Sequence, residues 1–174
     1  MTELTISKRL IFRRPEISDL KTFFTIFGDP RTQQFNPAGP ILDEAAAYQA
    51  LSKLIGHWDE HGFGQWAILS RDEPDVPLGF GGLTFHPYNE TTRLNVGYRL
   101  AFEAWGKGFA TEIALTALQQ AALIHPGEYV FGLVRPSNLA SIHVLQKSGM
   151  QLYGTLDDVP GKESSLVYRT SGIA

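Results

Sequence analysis

The sequence predicts a mixed α/β domain on a mostly antiparallel central sheet with one parallel strand–helix–strand crossover. Two observations carry this. Three strand-like segments in the middle of the chain are joined by short polar turns, which suit antiparallel neighbours. A strand, a glycine turn, a helix and another strand then follow, and that series gives a parallel pair with a right-handed crossover. The length of 174 residues suits one core, so residues 1–174 are expected to form a single domain.

The elements follow in order. "RLIFRR" (Arg9–Arg14) reads as a short strand ended by Pro15. Ser18 then has the position of an N-cap for a helix burying Leu20, Phe23, Phe24 and Phe27, stopped by Gly28 and Pro30. "FNPAGP" (Phe35–Pro40) is irregular, and Asp43 caps a longer helix. Its Ala47, Leu51, Leu54, Ile55 and Trp58 recur at helical spacing until Gly62. The three middle strands are Gly64–Ser70, Leu78–Phe85 and Arg93–Leu100. In the last, Leu94, Val96, Tyr98 and Leu100 should face one way and Asn95, Gly97 and Arg99 the other. Gly79, Gly81 and Gly82 suggest a bulge or a close backbone approach. After the glycine turn, Ile113, Ala117, Ala121 and Ile124 mark a helix stopped by Pro126 and Gly127. Tyr129–Val134 is a buried strand, Asn138 to Gly149 brackets a second helix, and two strands close the chain near Gln151–Leu156 and Ser164–Arg169.

Composition narrows the function. Fifteen basic and 18 acidic side chains leave a formal net charge of −3 without any basic block, so neither a nucleic-acid partner nor an anionic membrane is expected. The absence of cysteine removes disulfides, thiolate metal sites and a cysteine nucleophile, and it fits a reducing compartment. No stretch approaches the roughly 18 apolar residues of a membrane span, and the N-terminus lacks a signal-peptide core. A cytoplasmic protein, monomer or homodimer, is the expectation.

The segment "EAWGKGFATEIAL" (Glu103–Leu115) carries the first chemical signal. Gly106 and Gly108 can take positive φ and let a ligand approach the backbone, and the N–H groups of residues 106–111 would open at the positive end of the next helix. Such a turn suits a pyrophosphate. It lacks the spacing of a phosphate-binding Gly-Lys-Ser/Thr loop and of the three-glycine dinucleotide fingerprint. Taken alone it is also ordinary chain punctuation.

With their surroundings, "NVGYRLAFEAWGKGFATEIAL" and "VRPSNLASIHVLQKSGMQLYG" resemble the GNAT superfamily of N-acetyltransferases, most closely its Rim-type ribosomal-protein branch. "RLIFRRPEISDL" and "DPRTQQFN" support the match, which runs through nearly the whole chain in the family's order. The resemblance implies a GNAT-like fold with acetyl-CoA as cosubstrate and no metal. It implies that Trp105, Gly106, Lys107, Gly108, Phe109, Ala110 and Thr111 wrap the coenzyme pyrophosphate through main-chain N–H groups. Trp105 stands where many members carry Gln or Arg. Tyr98, Arg99 and Leu100 would pair with the pantetheine arm, and the Leu100 backbone would meet the thioester oxygen, where charge develops. Asn138 and Ser141 match positions lining the coenzyme and Lys147 one near its phosphates. By position alone, Asn138 is a helix cap, Ser141 a first-turn hydroxyl and Lys147 a helix-end cation.

The proton-transfer groups depart from the family. A frequent glutamate two residues before the strand glycine is Asn95 here, and a frequent tyrosine seven after the helix asparagine is Leu145. Ser141 remains as the candidate general acid. A water chain would be the base, with Glu103, His86 or Tyr88 contributing; Glu103 is otherwise a loop or helix-dipole residue.

The expected activity is acetyl transfer to a primary amine by direct attack in a ternary complex. The acceptor is either a protein N-terminal α-amine or a small-molecule amine. An acyl-CoA-binding sensor or scaffold is the alternative, kept open by Asn95 and Leu145. A distant third is a zinc peptidase, because "HWDEH" (His57–His61) fits H-x-x-E-H. Two histidines at a helix C-terminus also suit the dipole without metal.

Overall fold

The structure is a computed structural model in which residues 4–171 are described. Among them, eight strands form one sheet in the order β1-β2-β3-β4-β5-β6-β8-β7. By contacts the chain divides into two compact units, Met1–Gly82 with Tyr98–Phe109, and Leu83–Gly97 with Ala110–Ala174.

The first unit begins with β1 (Thr5–Ile6), a two-residue strand absent from the sequence reading, antiparallel to β2 (Leu10–Arg13). β2 pairs antiparallel with β3 (Gln65–Ser70), and β3 with the first residues of β4 (Gly79–Tyr88), in the register Gln65↔Gly82 to Ile68↔Gly79. Helices α1 (Leu20–Phe27) and α2 (Glu44–His61) bury Phe23, Ile26, Ala47 and Leu51 against Ala67 and Phe80. Phe23 stacks on Phe27 at 4.2 Å and meets Phe80 edge-on at 5.1 Å. Each such buried ring contributes about 1.5–3 kcal/mol.

The approach to α1 corrects the expected cap. Ser18 is exposed, its hydroxyl donating to Glu16 at 3.2 Å, and a short 3₁₀ turn over Ile17–Asp19 precedes the helix. Buried Asp19 closes a capping box with Glu16, the residue that starts this turn: it accepts the Glu16 N–H at 2.8 Å and both Arg13 guanidinium nitrogens at 2.8 and 2.7 Å. That carboxylate pushes the Arg13 pKa further up, opposed by burial. The second cap matches the sequence, with Asp43 accepting the Ala46 N–H at 2.8 Å.

The second unit holds most of β5 (Thr91–Leu100), β6 (Phe131–Val134), β7 (Met150–Leu156) and β8 (Ser165–Thr170). It also holds α4 (Leu139–Lys147) and all but the first residue of α3 (Phe109–Ile124). β5 and β6 are the parallel pair, in register at Asn95↔Phe131, while β6–β8 and β7–β8 are antiparallel. Ile113, Ala117 and Ala121 are buried as their spacing requires, but Ile124 is 42% exposed as the last residue of the helix. β5 does not alternate cleanly. Leu94, Asn95 and Val96 are all buried and Tyr98 only half-buried, because both faces of the strand are covered at its middle.

Candidate active site

In the first unit, β5 ends beside β4. The Ala101 N–H donates to the Leu78 carbonyl at 2.8 Å. Backbone groups alternate edges along an extended strand, so Leu100 turns its N–H and C=O to the edge away from β4. The Trp105 indole N–H donates to that Leu100 carbonyl at 3.2 Å, tying the following turn to the strand end. Gly79 permits the close approach: a Cβ there would lie 2.7 Å from the Arg99 carbonyl oxygen and 2.6 Å from a Leu100 methyl. The sequence signal at Gly79 was therefore one of close approach.

The glycine turn follows a 3₁₀ turn over Phe102–Ala104. Gly106 and Gly108 have φ of +75° and +79°, the left-handed region that favours glycine. Residues 105–108 are exposed, and a Cβ on Gly106 would meet no atom within 4 Å, so space lies open over the main chain. α3 starts at Phe109, and the first N–H groups of a helix have no intrahelical acceptor. An exposed left-handed turn running into a helix N-terminus fits a pyrophosphate.

Arg9 is the turn residue that sequence reasoning missed. Its guanidinium donates to the Lys107 carbonyl at 2.7 Å and lies 4.5 Å over the Phe109 ring. A Cβ on Gly108 would come within 3.4 Å of its Nη2. Arg9 thus fixes the turn from 98 positions away, and no local pattern marks such a partner.

Glu103 is 74% exposed and ion-paired with Arg31 at 3.1 Å, and Arg31 also holds Asp29 at 2.7 Å. Arg31 lies 4.2 Å over the Phe102 ring. Glu103 is part of this surface pair, which weakens it as a base candidate. Arg99 is half-buried; its Nη1 donates to the Thr32 carbonyl at 2.8 Å and burial lowers its pKa.

In the second unit, Asn138 caps α4, its Oδ1 accepting the Ser141 N–H at 3.2 Å. Ser141 is part-exposed in the first turn, and Lys147 is exposed in the last. Ala110 and Thr111 are part-buried in the first turn of α3. Leu145 is buried, packed on Gly132 of β6 where a Cβ would sit 3.2 Å from its methyl, so the family tyrosine position is core here. Asn95 accepts a hydrogen bond from the Tyr88 hydroxyl, and both are buried. Burial raises the Tyr88 pKa, which disfavours it as a base near neutrality. His86 is exposed.

The HWDEH histidines lie with ring centroids 4.5 Å apart, tilted by 50°, on the last turns of α2. His57 Nδ1 lies 2.9 Å from the Phe63 carbonyl oxygen and His61 3.6 Å from Glu60. Among the described residues no group of three or more His, Cys, Asp or Glu could hold a metal. No helix among them is long and apolar enough to cross a membrane.

The sequence profile of the acetyltransferase (GNAT) domain matches residues 9–151. A Bacillus licheniformis protein named uncharacterized N-acetyltransferase p20 is 24% identical over 165 residues, spanning 95% of this chain and 92% of its own. A GNAT-family acetyltransferase structure from Bacillus anthracis superposes with a TM-score of 0.76 at 21% identity, covering 96% of each chain. RimL, a ribosomal L7/L12 alpha-N-protein acetyltransferase solved with coenzyme A, gives a TM-score of 0.77 at 16% identity over 96% of this chain and 97% of its own. The likeness to the Rim-type branch is thus one of fold, at a distance.

Proposed function

We propose that this chain, which belongs to the acetyltransferase (GNAT) family, moves an acetyl group from acetyl-CoA to a primary amine by direct attack in a ternary complex. The observation that carries the proposal is the left-handed, exposed Gly106–Gly108 turn opening onto α3 and pinned by Arg9. In this reading the main-chain N–H groups from Gly106 to Thr111 bind the pyrophosphate, the expected Trp105 N–H being held instead by the Phe102 carbonyl at 3.1 Å, and residues 1–174 act as one domain. Acetyl-CoA supplies an activated acetyl thioester.

This chain's own groups then have distinct tasks. Tyr98, Arg99 and Leu100 present main chain to the pantetheine arm, and the Leu100 N–H stabilises the negative charge that develops on the thioester oxygen. Asn138 orients the first turn of α4, whose Ser141 hydroxyl gives a proton to the departing thiolate. Lys147 assists the phosphates by charge. The ammonium proton leaves through water, because the family's carboxylate position holds buried Asn95. With no cysteine in the sequence, no cysteine acyl-enzyme forms. The likeness to RimL, a ribosomal L7/L12 alpha-N-protein acetyltransferase, favours a protein N-terminal α-amine as acceptor, and a small amine is the other arm of the test.

The test is free-thiol release from acetyl-CoA across a panel of amines and N-terminal peptides. Release with at least one acceptor is expected. Ser141→Ala should then lower kcat by about 10²-fold or more with coenzyme affinity nearly kept, as for loss of a general acid. A pure affinity loss would make Ser141 a ligand only. The sensor or scaffold alternative is favoured by Asn95 and Leu145, both buried where relatives carry proton-transfer groups. It predicts coenzyme binding with no thiol release on any acceptor, and absence of coenzyme binding would sink both.

A further inference from the structure

The arginines of the first unit are not alike. Arg13 is neutralised by Asp19, and Arg31 by Asp29 and Glu103. Arg99, further out of solvent than Arg31, has no such partner: among the described residues no carboxylate lies within ion-pair distance of it. Its Nε is buried and makes no hydrogen bond, and of its remaining donors only Nη1 is bonded, to the Thr32 carbonyl at 2.8 Å. A guanidinium has five N–H donors, and one taken partly from water without an anion is a costly arrangement.

The residues around it are nevertheless built to hold it still. Thr32 and Gln33 are 2% and 3% exposed. The Thr32 hydroxyl donates to the Ile26 carbonyl at 2.5 Å, Gln33 Nε2 donates to the Thr32 hydroxyl at 2.9 Å, and Asn36 donates to Gln33 at 3.0 Å. That network fixes the Thr32 carbonyl, and the carbonyl fixes the fork. The fork is therefore oriented but not neutralised. It stands on the α1–α2 side of β5, one residue before the main chain assigned to the thioester, with the half-buried side chain still reached by solvent.

We infer that the Arg99 guanidinium is a subsite for a carboxylate carried by the acceptor amine. A planar carboxylate matches the fork with two parallel N–H bonds and replaces the missing counter-charge. The inference rests on the proposed acetyl transfer and narrows its acceptor class. The amine faces Leu100 while the carboxylate turns towards the Thr32 segment. Such an acceptor is either a free amino acid or a peptide with an acidic residue next to its N-terminus.

Two matched pairs test it: alanine with alaninamide, and the peptide amides Ser-Glu-Ala and Ser-Gln-Ala. In the wild type the carboxylate member of one pair should lead in kcat/KM by about ten-fold or more, the worth of a charge-assisted bond. Which pair shows it identifies the source of the carboxylate. Arg99→Gln should bring the ratio to about one, and Arg99→Lys, which keeps charge but not the fork, should leave it intermediate. Three results overturn the subsite: a wild-type ratio near one in both pairs, a ratio unchanged in Arg99→Gln, or an equal loss on both members of a pair. If no acceptor turns over, the transfer proposal fails separately. Ligand-observed NMR on the same pairs then decides the subsite. Carboxylate binding lost in Arg99→Gln sustains it, and equal binding of carboxylate and amide overturns it.

Discussion

At the scale of single residues, Asn95 and Tyr88 show how a position's chemistry depends on what is packed against it. Asn95 stands two residues before the strand glycine, where the sequence already shows an amide in place of a carboxylate. What the sequence does not show is the use of that amide: it accepts the Tyr88 hydroxyl inside the sheet. Removing the hydroxyl leaves a buried acceptor unsatisfied. Tyr88→Phe should cost about 1–3 kcal/mol in urea unfolding at unchanged m-value. No measurable change would mean that the pair is compensated elsewhere. The Asn138 cap was legible for a local reason, since a cap bonds within one turn. Arg9 and Arg99 were not, because their partners lie 98 and 67 positions away.

At the scale of elements, the helix and strand periods located nearly every segment, and the glycine turn was legible because backbone handedness is written in the residue type. Its misreadings share one cause. Ser18 has an ordinary cap position, but the buried carboxylate of Asp19, recruited by Arg13, takes over the approach to α1. The two-residue β1 carries too little pattern to detect and depends on β2 for its existence. For the turn itself, Gly108→Val places a β-branched residue at φ of +79° and a Cβ beside Arg9. Strain of about 1–3 kcal/mol should weaken acetyl-CoA binding roughly ten-fold or more while the protein remains folded. Calorimetric titration checks it, and an unchanged affinity in a folded variant would move the cradle elsewhere.

At the scale of the whole molecule, stability should depend on a histidine that the proposed chemistry does not use. Burial lowers the His57 pKa below its ordinary 6.5, reinforced by His61 and opposed by the Phe63 carbonyl and Glu60. Below about pH 6.5 the unfolded chain therefore takes up a proton that the folded chain resists, and stability falls as pH falls until the folded histidine also titrates. The melting temperature should drop between about pH 7 and 5, and His57→Asn should flatten that slope. An identical slope in the variant would assign the effect to other groups. The family and the mostly antiparallel sheet with its one parallel pair were legible in the sequence, whereas the strand order that puts β8 between β6 and β7 was not, since it rests on long-range pairing.

The decisive measurement is a titration of acetyl-CoA into the isotope-labelled protein with every backbone amide followed by NMR. The largest shifts should fall on Leu100 and on the amides from Gly106 to Thr111. Saturable shifts confined to other segments, with these amides unmoved, would contradict the proposed coenzyme site.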